Sequence, residues 1–94
     1  MVSAFYLSDV LEDVEDEAQR ARDKFGSQTD LSDLEWLAIL GEEFGEAAME
    51  VTKNYVRPLI PGRGFEERLR AEVIQVAAVA ARWVRAIDAR LDSR

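Results

Sequence analysis

Apolar residues recur at steps of four and three along three stretches of this chain, and nowhere do they alternate every second position as a strand would. In the first stretch Leu7, Leu11, Val14, Ala18, Ala21 and Phe25 form one seam, with Gly26 as its C-terminal stop. Ser32-Asp33-Leu34-Glu35 has capping-box spacing, so a second helix starts at about Asp33. It runs to Tyr55 or Val56, before Pro58 forbids continuation. Its main apolar set is Leu34, Leu37, Leu40, Phe44, Ala48, Val51 and Tyr55, and Trp36, Ile39 and Ala47 add a second stripe. Gly41 and Gly45 lie one turn apart and leave a groove where another helix can approach closely.

The Pro/Gly-rich run Arg57-Pro58-Leu59-Ile60-Pro61-Gly62-Arg63-Gly64 reads as a connection to a third helix, from near Phe65 to about Leu91. That helix carries Leu69, Val73, Val76, Ala80, Trp83 or Val84, Ile87 and Leu91 as its seam, widened by Ala77, Ala78 and Ala81. Stripes of this width imply more than one neighbour per helix. The expected architecture is one all-α domain over residues 1–94, an antiparallel bundle of about three helices whose core is completed by dimerisation.

Composition narrows the chemistry. The chain of 94 residues has neither cysteine nor histidine, which removes disulfides, thiolate metal sites and the usual general base. Its formal charge of −7 argues against binding nucleic acid, whose phosphates are held mainly by Lys and Arg. No apolar run approaches the length of a membrane span and the N-terminus has no secretory pattern, so a cytoplasmic location without a membrane partner is expected. Any catalysis must rest on carboxylates, metal ions and water.

The carboxylates are concentrated. Glu42, Glu43, Glu46 and Glu50 crowd one segment of the second helix without a basic residue among them, and Glu72 and Gln75 sit one turn apart on the third. Glu43 and Glu46 share a helix face, where like charges repel, and a hard divalent cation is the obvious compensation. If the second and third helices pack antiparallel, Glu43, Glu46 and Glu72 converge, with Gln75 offering an amide oxygen or holding a water. The plainer alternative is ordinary surface glutamates on an acidic protein. On the first helix Asp9, Glu12, Asp13 and Asp16 are read as solvated surface, since Arg20, Arg22 and Lys24 stand close by and Arg20 can pair with Asp16.

Leu40-Gly41-Glu42-Glu43-Phe44-Gly45-Glu46, followed by Arg70-Ala71-Glu72-Val73-Ile74-Gln75, resembles the MazG-like family of all-α nucleoside triphosphate pyrophosphohydrolases. The family signature is Glu-Glu-x-x-Glu on one helix, then Glu-x-x-Asp on a later one. The upstream stretch from Glu17 to Gln28 also resembles the first helix and turn of small members, phage-encoded ones included. The resemblance implies Mg²⁺-dependent cleavage of a (deoxy)nucleoside triphosphate to the monophosphate and pyrophosphate, with Mn²⁺ as a possible substitute, by a homodimer or dimer of dimers. It implies Glu43, Glu46 and Glu72 as metal ligands, with Gln75 at the fourth position. Glu42 and Glu43 are the catalytic candidates, Glu42 either as a ligand or as the group that orients the attacking water. Lys53, Arg57 and Arg82 are candidates for the phosphates, each with ordinary ion pairing as the alternative, while Trp36 and Trp83 read as core.

The departure is Gln75, where the family pattern has Asp; an amide removes one negative charge from a site built on charge. Two alternatives follow: an inactive relative that binds nucleotide or only dimerises, and an unrelated acidic helical interaction module.

Overall fold

A computed structural model describes residues 4–56 and 63–93. Three helices account for these segments: α1 (Ala4–Phe25), α2 (Asp33–Val56) and α3 (Arg63–Asp92). The all-α bundle expected from the periodicity is what forms, and no strand occurs among the described residues. The connection expected between α2 and α3 falls mostly outside the described residues, Arg57 included.

The helix ends follow their local chemistry. Ser32 Oγ accepts from the Glu35 amide at 3.1 Å, and Glu35 Oε1 accepts from the Ser32 amide at 3.1 Å, a reciprocal capping box at the start of α2. Gly26 ends α1 with φ of 82°, its amide donating to Arg22 O at 2.8 Å, a left-handed geometry that glycine adopts without steric cost. Gln28 is also left-handed, with φ of 53°, which a residue bearing a Cβ rarely adopts.

α3 is the central element. It packs on both α1 and α2, whereas the backbones of α1 and α2 do not approach one another among the described residues. α2 and α3 are antiparallel: Asp33 meets Trp83 and Arg90 at one end, and Glu50 meets Arg68 at the other. α1 runs alongside α3 in the same direction, tied by Arg70 to Asp13 at 2.5 Å and by Arg82 to Gln28 at 2.5 Å.

The core centres on Trp36, which is fully buried against Val79 and Ala86, with Leu31, Ile39, Leu40 and Trp83 packed around it. Ala86, with no side chain beyond Cβ, keeps the α3 surface low enough there for the indole to lie close to it. Trp36 is core, as expected, and of the two apolar stripes of α2 it is the second that is the more deeply buried. The stripe through Trp36, Ile39 and Ala47 faces α3, while Leu34, Leu37, Phe44 and Val51 are exposed, Leu34 to 75% and Phe44 to 65%. A seam of large residues and a seam built on one tryptophan have the same helical period, and residue volume decided which one the third helix could cover. Gly41 and Gly45 face open space in the single chain, where an added Cβ would meet nothing within 4 Å.

The capping box gives a direct stability test. Ser32→Ala removes one of its two bonds and should cost about 1 kcal/mol in urea unfolding, with Ser32→Asp recovering most of it.

A carboxylate triad beside a three-helix cavity

Glu43 and Glu46 lie one turn apart on α2, and the antiparallel register brings Glu72 of α3 opposite them. One carboxylate oxygen from each lies within 4.8 Å of the other two. Glu43 and Glu72 are half-buried and Glu46 is exposed. Glu43 Oε2 and Glu72 Oε2 are shut off from solvent and have no hydrogen-bond partner among the described residues. Buried carboxylate oxygens normally accept hydrogen bonds, so two orphans on members of one acidic cluster mark a deficit of positive charge.

The titration behaviour says the same. Burial pushes the Glu43 carboxyl above its ordinary range, reinforced by Glu46, Glu72, Glu42 and Glu17. Burial also raises Glu72, followed by its hydrogen bond to Glu46 and by the charges of Glu46 and Glu50. Burial and like charge thus make the ionised forms of Glu43 and Glu72 costly. A hard cation relieves this cost by direct coordination, and three carboxylate oxygens at this separation are a donor set that fits one.

Glu43 also lines a cavity of about 410 Å³ between the three helices, floored by Gln75, Ala78, Val79 and Arg82 of α3. Glu42 stands at its exposed rim. Gln75 is one turn from Glu72 and lines this cavity as well as a second one between α1 and α3. Arg82 is 6% exposed, with its guanidinium 5.2 Å from the Trp36 ring centroid and bonded to Gln28 Oε1. Burial and the nearby Arg22 both lower its pKa. Lys53 is exposed, and it lines neither cavity. The Glu50 partner is Arg68 of α3, at 3.4 Å. Arg57 lies outside the described residues.

α1 contributes what its reading as a solvated face left out. Glu17, Arg20 and Lys24 of α1, and Gln28 just beyond its end, line the same cavity as Glu43. Arg20 pairs with Glu17 rather than Asp16, and Asp13 pairs across to Arg70. Helical spacing puts Glu17, Arg20 and Lys24 on one face of α1, but the cavity they line forms only once α1 packs beside α3.

No protein-family model, curated protein or solved structure matches this chain.

The triad predicts an unusual pH dependence. Folded Glu43 and Glu72 retain protons that the unfolded chain has already released, so above the ordinary carboxylate range metal-free stability falls as pH rises. Asp33 acts oppositely: the Trp83 hydrogen bond and then Arg90 hold its pKa down, and the stability this gives is lost as pH falls through that lowered range. Thermal melts should therefore show a metal-free optimum on the acid side of neutrality, with the slope toward neutral pH flattened in Glu43→Gln. Added Mn²⁺ or Mg²⁺ should raise the melting temperature more at neutral pH than at about pH 5.

Proposed function

We propose that the chain is a divalent-metal-dependent nucleoside triphosphate pyrophosphohydrolase acting at the triad and its adjoining cavity. The observation that carries this reading is the pair of partnerless, buried oxygens of Glu43 and Glu72 within the three-carboxylate cluster. The resemblance of the Glu42-Glu43-x-x-Glu46 and Glu72 segments to the MazG-like signature supports it.

In this reading Glu43, Glu46 and Glu72 hold Mg²⁺ or Mn²⁺. When bound, the ion screens phosphate charge, orients the leaving group and acidifies water. Glu42, at the exposed rim, accepts a hydrogen bond from the attacking water and takes its proton. Water adds at the α-phosphorus, the bond to the α–β bridging oxygen breaks, and the monophosphate and pyrophosphate leave. Arg20 and Lys24, on the α1 wall, meet phosphate oxygens that the metal leaves uncovered. Gln75 enters the site as an amide, which leaves the donor set one carboxylate short of the family pattern. That same substitution favours a second reading, in which the chain binds nucleotide without turning it over.

Pyrophosphate release from a panel of nucleoside triphosphates separates the two. The hydrolase reading expects metal-dependent release, abolished by chelator and lowered at least a hundredfold in Glu46→Ala, with Gln75→Asp raising it. Release from Gln75→Asp alone would establish the inactive relative. Silence from all three proteins, without a metal effect on melting, would leave an acidic interaction module.

A second copy of the chain is part of the proposal. The exposed Leu37 and Phe44, beside the open surface of Gly41 and Gly45, form a face on α2 that a partner helix can approach closely. Sedimentation should show a dimer for the native chain and a monomer for Phe44→Glu. Gly41→Leu should also weaken the dimer, whereas in an isolated helix the same change improves propensity.

A further inference from the structure

The end of the cavity away from the triad is built differently from the rest. Arg82 and Gln28 close it, and Arg82 stands ten residues along α3 from Glu72, about 15 Å in helical rise. That span is comparable with the reach from a nucleobase edge to its phosphates. The lining also includes the apolar Ile39, Ala78, Val79 and Phe25, against which a flat ring can lie.

Gln28 is held there by several independent restraints. Its backbone is left-handed, a conformation that costs a residue with a side chain and that clusters at functional positions. Its Oε1 receives the Arg82 guanidinium at 2.5 Å. An arginine can only donate, so this contact fixes which way the amide faces: the oxygen toward Arg82 and the NH₂ group away from it. Among the described residues no acceptor meets that NH₂ group. Arg82 is itself buried, its guanidinium over the Trp36 ring, and its Nε–H also lacks an acceptor among the described residues. The Gln28 NH₂ group, half-exposed in the cavity wall, and the buried Arg82 Nε–H are thus N–H groups at this end that a ligand acceptor can meet.

We propose that Gln28 reads the nucleobase, its side-chain NH₂ donating to an exocyclic carbonyl, so that carbonyl-bearing bases are taken in preference to adenine. This rests on the nucleotide reading above and extends it to the base. Adenine is the common base without an exocyclic carbonyl; it presents an NH₂ group there and leaves the Gln28 donor unpaired. A site built to hydrogen-bond a ligand group discriminates strongly against an analogue that lacks it.

The test uses the monophosphates UMP, GMP and AMP, which cannot be turned over to pyrophosphate, titrated calorimetrically with Mg²⁺ into the wild type, Gln28→Leu and Gln28→Glu. The wild type should bind UMP and GMP at least tenfold more tightly than AMP, and Gln28→Leu should erase that difference by weakening UMP and GMP. Gln28→Glu keeps the shape and the Arg82 contact but replaces the donor by an acceptor. It should retain the melting temperature and shift the preference toward AMP. Equal affinities in the wild type, or equal weakening of all three ligands in both variants, would overturn the assignment. Base-selective binding without pyrophosphate release from triphosphates would sink the hydrolase reading and leave this one standing. Absence of any nucleotide binding would overturn both.

Discussion

Trp36 against α3 is the contact on which the remaining arrangement depends. It is the one fully buried large side chain among the described residues, and Val79 and Ala86 form its bed. Seating so large a ring on so narrow a patch sets the register of two antiparallel helices. Seven residues on from Trp36 comes Glu43; seven back from Val79 comes Glu72. Two turns of helix return each chain to nearly the same face, so the tryptophan contact and the carboxylate contact are one pairing repeated. Hydrophobic burial thereby holds like charges together that would separate if the helices were free to slide.

That coupling explains why the triad is costly and why it persists. Two of its oxygens are desolvated without a donor, and the pKa values of Glu43 and Glu72 rise accordingly. Polar strain of this kind collects where a ligand is due. The cavity extends the same logic along α3, from carboxylates at one end, past the Arg20 and Lys24 side of α1, to the Arg82–Gln28 pair. Charged groups line both ends of a groove whose floor includes the small apolar Ala78 and Val79, a layout suited to a ligand that is anionic at one end and flat at the other.

Much of this was legible in the residues. The Ser32–Glu35 capping box, Gly26 and the apolar spacing located the helices closely, because caps and periodicity are local properties. Glu43, Glu46 and Glu72 were legible as a group once antiparallel packing was assumed. Less visible was which stripe of α2 would turn inward. Leu34, Leu37, Phe44 and Val51 look like a core by period, yet they are exposed, since the decision lay with the volume of Trp36 and the small residues facing it. The contribution of α1 was hidden for a related reason. Arg20 and Lys24 read as compensation for neighbouring acids, and only the tertiary placement of α1 beside α3 turns them toward a cavity shared with α2. The left-handed backbone of Gln28 gave no signal at all in a Ser-Gln-Thr stretch.

Helix register brings three carboxylates together, and the proposal that they hold a cation is open to direct measurement. Calorimetric titration of Mn²⁺ into the purified chain at neutral pH, beside Glu46→Gln, tests it most directly, because Glu46 is exposed and its amide leaves the fold intact. One ion per chain is expected for the native protein and at least tenfold weaker binding for the variant, with both melting cooperatively. Equal binding by the two proteins, or none by the native one, would contradict it.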